Sequence, residues 1–201
     1  MTSVDSRRAK GRAREESVVA AAAQAITDLG LSNVRVADIA ERAGIGTGHV
    51  TYYFPSKDAL LMRAIRESES DLHARITDQV HRIDDPWERL SRLVDLAASA
   101  GAGDPGWVLW FDVWARAATD STVAAGGAEL ERWWREVLAE VIRYGCERGD
   151  FAADDVEAVV LSLSALIDGL SIRLTLGGGE LTRTRLLELV MASAHQQLDP
   201  A

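Results

Sequence analysis

A single cysteine, Cys146, stands in 201 residues. This excludes an internal disulfide and any cysteine-based metal cluster, and it fits a reducing compartment. Proline is scarce, with 4 residues, and the composition has neither a collagen-like nor a disordered bias. Long apolar runs are missing: no stretch approaches the ~18 consecutive apolar residues of a membrane span, and the basic N-terminus lacks the apolar segment of an export signal. The expected compartment is the cytoplasm, with no membrane partner. Catalytic signatures are absent too. The four histidines, His49, His73, His81 and His195, have no metal-ligand spacing, and no nucleophile motif or phosphate loop accompanies them. His73 and His81 read as solvated. An all-α enzyme is the weakest function class, and neither metal nor cofactor is expected.

The chain is 47% apolar, enough to bury a core as one large or two small domains. A net charge of −9 argues at first against nucleic acid, but its distribution reverses that impression. Residues 1–63 carry nine Lys/Arg against seven Asp/Glu, a net of +2, and residues 64–201 carry the remaining −11. Such asymmetry predicts two domains with two jobs, divided at 63/64.

No apolar/polar alternation is visible, whereas apolar residues recur at helical spacing throughout, so the predicted fold is all-α with about nine helices. These cover about 12–29, 37–43, 47–53, 57–83, 86–100, 107–118, 121 or 128–147, a stretch from Asp154 or Asp155 to the glycines at 177–179, and 181–197. Ser56, Asp85-Pro86 and Asp154 or Asp155 supply start signals, and Gly30, Gly44 and the glycines at 177–179 supply stops. The segment RRAKGRAR at 7–14 reads as a frayed basic arm that could follow a phosphate backbone or a minor groove.

Two of these helices are about two turns long and need packing to persist. Val36, Ile39, Ala40, Ile45, Val50 and Phe54 provide it. The second is left with Thr47, Gly48, His49, Thr51, Tyr52 and Tyr53 as outward tips, and Lys57 follows at the next helix start. A helix-turn-helix sets its second helix in the DNA major groove. Gly48 permits close backbone approach, Thr47 and His49 suit base edges, and Thr51 offers either a methyl to thymine or a hydroxyl to phosphate. Tyr52, Tyr53 and Lys57 suit the sugar-phosphate backbone. The bland alternatives are packing for Tyr52 and plain solvation for His49 and Lys57.

The order Ala40, Ala43-Gly44, a small residue at 46, Gly48, Val50, an aromatic pair, Phe54, Ser56-Lys57 and Leu60-Leu61 resembles the N-terminal domain of TetR-family transcriptional regulators over about residues 12–63. Within that family the stretch is most similar to the subgroup of choline-responsive BetI-type repressors, as is the later WVLWFDVWARA. The resemblance implies an N-terminal three-helix reading domain and a helical ligand-binding and dimerisation domain. It also implies DNA contacts from Thr47, Gly48, His49, Tyr52, Tyr53 and Lys57, with Arg35, Ala37 and Thr51 as lesser candidates. Thr51 and Tyr53 depart from the tyrosine and histidine common there, so an operator sequence does not carry over.

In the second half, Trp107, Trp110, Phe111 and Trp114 form one stripe, and Asp112 and Arg116 read as an i, i+4 pair on the opposite, solvated side. Trp133 and Trp134 lie on the next long helix. These rings are either core or the lining of an effector pocket for a cationic or aromatic molecule. Leu161, Ser164, Ala165 and Ile172, on a helix with two apolar sides, together with Leu187, Val190 and Ala194 on the last helix, resemble the family's four-helix dimer interface. Asp168, an acid within an apolar helix, is a polar pair across that interface, an exposed group, or an effector contact, with Arg173 as a candidate partner.

The leading expectation is a homodimeric repressor that binds a near-palindromic operator in double-stranded DNA and releases it on binding a small effector. The second is a DNA-binding regulator without a small effector, controlled by a protein partner or by abundance.

Overall fold

In the computed structural model, residues 3–177 and 179–199 are described, with side chains from Ala9 onward. Arg7 and Arg8 of the basic arm therefore have side chains outside the described residues. Nine helices and no strand occur among the described residues: α1 Ser3–Leu29, α2 Val36–Arg42, α3 Thr47–Tyr53, α4 Lys57–His81, α5 Pro86–Ala97, α6 Pro105–Ala117, α7 Ser121–Arg148, α8 Val156–Thr175 and α9 Arg183–Leu198. The arm is not frayed: α1 starts at Ser3, about nine residues before its expected beginning. Arginine, lysine and alanine are good helix formers, so the charged segment simply extends the helix.

The start signals act as side-chain caps. Ser56 accepts from Ala59 N at 3.0 Å, Asp85 from Glu88 N at 2.8 Å and Asp155 from Ala158 N at 3.0 Å. Thr182, not anticipated, caps α9 by accepting from Arg185 N at 3.1 Å. Each satisfies an orphan first-turn N–H.

The chain divides into two compact units. Unit 1 comprises residues 1–70 and 111–128. Its core joins Val18, Val19, Ala22, Ala25 and Ile26 of α1 with Leu31, Val34, Ile39, Val50, Leu60 and Leu61, each almost fully buried. Unit 2 comprises residues 71–110 and 129–201. There α9 packs on both α8 and α5, and Leu90, Ile142, Leu163, Leu186, Val190, Ala194 and Leu198 are wholly enclosed. α4 stops at His81 because Arg89, itself buried, donates to the carbonyls of His81 and Ile83 at 3.2 and 2.8 Å. Its guanidinium lies 3.5 Å from the Tyr144 ring centroid. A cation at a helix C-terminus is favoured by the helix dipole, and the ring face offsets its desolvation. Trp87, the sixth tryptophan, stacks on His195 with 3.8 Å between centroids and meets Phe151 edge-on at 4.5 Å.

By length and composition α8 is apolar enough to cross a bilayer, which a search for an unbroken apolar run passes over. One side of it belongs to the unit 2 core: Val159, Val160, Leu163, Ile167, Ser171 and Leu174 are buried. Leu161 stays 61% exposed on the other.

Candidate functional site

The α2–α3 turn is built by Gly44, whose φ of +64° is the left-handed conformation that a residue with a side chain rarely adopts. Gly44 N donates to Glu41 O at 3.1 Å and Ile45 N to Ala40 O at 3.0 Å, closing α2 with a Schellman motif. Asp38 accepts from Arg35 N at 2.8 Å at the start of that helix, and Arg35 is exposed. On α3, Val50 and the following Phe54 are buried. They fix the helix so that Thr47, Gly48, His49, Thr51 and Tyr52 are all exposed, Tyr52 at 81%. Tyr52 is therefore not a packing residue. Tyr53 is half-buried and meets the Tyr52 ring edge-on at 5.3 Å.

Two details sharpen this surface. A Cβ on Gly48 would meet nothing within 4 Å, so packing does not require glycine there, although glycine within a helix costs about 1 kcal/mol relative to alanine. The Thr51 hydroxyl donates back to Gly48 O at 3.1 Å. Its proton is thus used within α3, and its methyl and lone pairs remain for an outside partner. The Lys57 ammonium donates to Val34 O at 3.0 Å and is partly buried. It ties the loop before α2 to the start of α4, and two of its three protons remain available.

Asp112 and Arg116 are neither solvated nor paired with each other. Asp112 accepts from Ser32 N at 3.3 Å and from Ser32 Oγ at 3.0 Å, and Arg116 pairs with Asp58 in the first turn of α4. The distal half of α6 is thereby fastened to the α1–α2 turn and to α4, all inside unit 1. Helical spacing brings the two side chains within reach of one another, but tertiary neighbours outcompete that pairing.

Among the α6 and α7 aromatics, Trp107, Trp110, Phe111, Trp114, Trp133 and Trp134 are each half-buried, and the one buried residue of α6 is Val113. The rings are half-covered rather than enclosed core. Phe111 and Trp114 belong to unit 1, with centroids 6.3 Å apart. The others belong to unit 2, where Trp107 and Trp134 pack against the core. Unit 2 also holds Asp168. Its charged neighbour is Glu131 on α7 rather than Arg173, and its carboxyl is pushed up to about 6, first by burial and then by the Glu131 charge.

His73 departs from its expected solvation. Its Nε2 is buried without a hydrogen-bond partner, as is Thr77 Oγ1 one turn on, and its ring lies 6.1 Å from that of Trp133. No sequence signal distinguished these positions from the polar face of α4. His81 meets Glu140 at 3.6 Å, and Cys146 is half-buried against the unit 2 core.

Of the residues assigned to an interface between copies, Val190 and Ala194 lie wholly inside the protomer, with no exposed surface. Leu161 and Ala165 are exposed, and Ser164, Asp168, Ile172 and Leu187 are partly so.

Known proteins share this architecture. Residues 18–64 match the family model for bacterial regulatory proteins of the tetR family, and residues 86–199 match that for the BetI-type transcriptional repressor C-terminal domain. The chain is 30% identical over 194 residues to the HTH-type transcriptional regulator BetI of Burkholderia ambifaria strain MC40-6, covering 92% of each. It is 26% identical to the Escherichia coli K12 BetI over 192 residues, covering 92% of this chain and 94% of the relative. A transcriptional regulator from Saccharomonospora viridis solved in complex with choline is 28% identical, with a TM-score of 0.77 over 95% of this chain and 100% of that one. A TetR regulator from Haloarcula marismortui is 25% identical, with a TM-score of 0.68 over 92% and 96% of the two chains. These relatives are regulators rather than enzymes, and the family match extends from the reading helices to the end of α9. The chain therefore belongs to the TetR family of DNA-binding transcriptional regulators, as a repressor with a BetI-type C-terminal domain.

Proposed function

We propose that this repressor acts in the cytoplasm as a homodimer, that residues 1–63 carry its reading head, and that a small organic cation bound within residues 64–201 releases it from a near-palindromic operator. Thr47, Gly48 and His49 meet base edges, and Tyr52, Tyr53, Lys57 and Arg35 hold the backbone. Thr51 contributes its methyl, in keeping with its internally bonded hydroxyl. The dimer forms on the outer faces of α8 and α9, through Leu161, Ser164, Ala165, Ile172 and Leu187, whose apolar surface is left uncovered or half-covered in the protomer.

The observation that carries the effector reading is Asp168. A half-covered carboxyl that burial and Glu131 push up to about 6 is relieved by a cation, and Trp107, Trp110, Trp133 and Trp134, half-buried in the same unit, are the rings assigned to its lining. Aromatic faces and a nearby acid are the chemistry that retains a quaternary ammonium. A relative bound to choline supports the same class of ligand. A cation that binds the DNA-free conformation more tightly lowers operator affinity by the same factor.

The test is to titrate choline into the complex of the full-length protein with the duplex it selects, following release by fluorescence anisotropy and choline binding by calorimetry. Release is expected. Because the bound cation favours the carboxylate, choline affinity should fall as pH drops from 7.5 to 5, through the value near 6 of Asp168. D168N should bind choline about tenfold more weakly at pH 7.5, as expected when a charged partner is removed, with a flat pH profile. If no quaternary ammonium binds or releases the duplex, control by a protein partner or by abundance becomes the better reading.

A further inference from the structure

The Thr51 hydroxyl has two carbonyls behind it, Gly48 O at 3.1 Å and Thr47 O at 3.5 Å. It donates to the nearer one, a back-bond that threonine commonly makes inside a helix. A hydroxyl has one proton to give, and here the helix takes it. Phosphate oxygens, guanine N7 and O6, adenine N7 and thymine O4 all need a donor, so Thr51 serves none of them in this conformation. Because its β-carbon is tetrahedral, turning Oγ1 towards the Gly48 carbonyl directs the other branch, the methyl, away from it. The surroundings leave that methyl open. A helical side chain leans over the turn that precedes its own Cα. For Thr51 this is the turn holding Gly48, where there is no side chain and a Cβ would meet nothing within 4 Å. Thr51 itself is exposed, while the buried Val50 and Phe54 hold α3 from behind.

We propose that Thr51 reads the 5-methyl group of a thymine, so that a thymine at one position of each half-site is a determinant of operator choice. This inference rests on α3 as the DNA-facing helix and names the base feature met at one of its positions. Among the groups that the four bases present in the major groove, the thymine methyl is the apolar one. Bringing it against the Thr51 methyl, beside a stretch of helix that Gly48 leaves bare, removes both from water without asking the hydroxyl to give up its internal bond. The competing partner is an amino group of adenine or cytosine, which would donate to the lone pairs of Oγ1. The two differ in which branch of the side chain carries the contact, and each branch can be removed alone.

The experiment takes the duplex that the full-length protein selects from a random-sequence pool and replaces each thymine in turn by uracil, which pairs identically and lacks only the 5-methyl group. Binding is followed by fluorescence anisotropy for the wild type, T51V and T51S. T51V keeps the methyl branch and loses the hydroxyl, and T51S does the reverse. In the wild type, uracil at one thymine of a half-site should weaken binding about fourfold, the scale of one methyl group withdrawn from water. T51V should keep that sensitivity. T51S should bind the thymine duplex about fourfold more weakly than the wild type and should no longer distinguish uracil from thymine at that position. Far-UV circular dichroism of both variants should match the wild type, since Thr51 is exposed; this separates lost recognition from lost folding. Three results overturn the assignment while leaving α3 as the reading helix: a wild type indifferent to uracil at every thymine, a sensitivity that survives in T51S, or one that disappears in T51V. Failure of the full-length protein to select any duplex overturns both.

Discussion

Most polar groups of α3 stand in the open, whereas in unit 2 several are under cover. Thr47, His49 and Tyr52 are exposed, and the Thr51 hydroxyl is satisfied within its own helix. His73 Nε2 and Thr77 Oγ1 are shielded without partners, and burial pushes up the Asp168 carboxyl. A surface that meets DNA keeps its tips hydrated until they exchange water for base edges and phosphates, so the free protein carries little penalty for them. A site that encloses a small molecule holds its polar groups out of water in advance, and the ligand-free protein bears the cost. Substitutions should therefore move stability and binding in opposite directions in α3, and in unit 2 should show stability limited by unmet polar groups.

The largest contrast is expected at Gly48. Nothing lies within 4 Å of where a Cβ would stand, so G48A should gain helix propensity and raise the unfolding midpoint by about 2–4 °C, the equivalent of roughly 1 kcal/mol in a chain of this size. G48L, at an exposed position, should still fold and yet weaken binding to the selected duplex roughly a hundredfold, since displacing the helix disturbs contacts to base edges that contribute about 1–3 kcal/mol each. Differential scanning calorimetry and anisotropy on the same samples read both quantities. Operator affinity in G48L equal to that of the wild type would show that the α3 backbone does not approach DNA.

Lys57 blurs the contrast, because its ammonium serves the fold through Val34 O while it is also assigned to phosphate. K57M should lower operator affinity about three- to tenfold and flatten the dependence of log affinity on log salt by about one. It should also lower the unfolding midpoint, since the Val34 carbonyl loses its donor. A lower midpoint with an unchanged salt slope would assign Lys57 to the fold alone.

The difference between the two regions also explains what was legible in the sequence. The bounds of α3, the turn at Gly44 and the caps at Ser56, Asp85 and Asp155 follow from local rules, since each depends on residues within a few positions. The outward tips of α3 were legible because the apolar spacing alone shows which side Val50 and Phe54 leave exposed. Asp112 and Arg116 were misread because i, i+4 spacing offers a pairing without naming the competitors, and Ser32 and Asp58 are distant in sequence. Val190 and Ala194 turn inward for the same reason: a helix read as having two apolar sides does not say which stripe its own chain covers. His73 was the hardest to see. A histidine on a polar helix face resembles its solvated neighbours until α7 brings Trp133 against it.

The smallest expected effect concerns the stability of the ligand-free protein. The carboxyl of Asp168 is raised from 3.8 to about 6, so between those values the folded chain holds a proton that the unfolded chain has released. Stability must then fall as pH rises through that window, and the loss is complete above it. D168N removes the titration and most of the desolvation cost. Its unfolding midpoint relative to the wild type should therefore increase from pH 4 to pH 7 by about 2–4 °C, a modest amount because the group is only half-covered and solvent screens it, and should level off beyond. A difference between the two proteins that stays constant over that range would mean that Asp168 carries no burial penalty, and the strain assigned to unit 2 would reduce to the His73 and Thr77 pair.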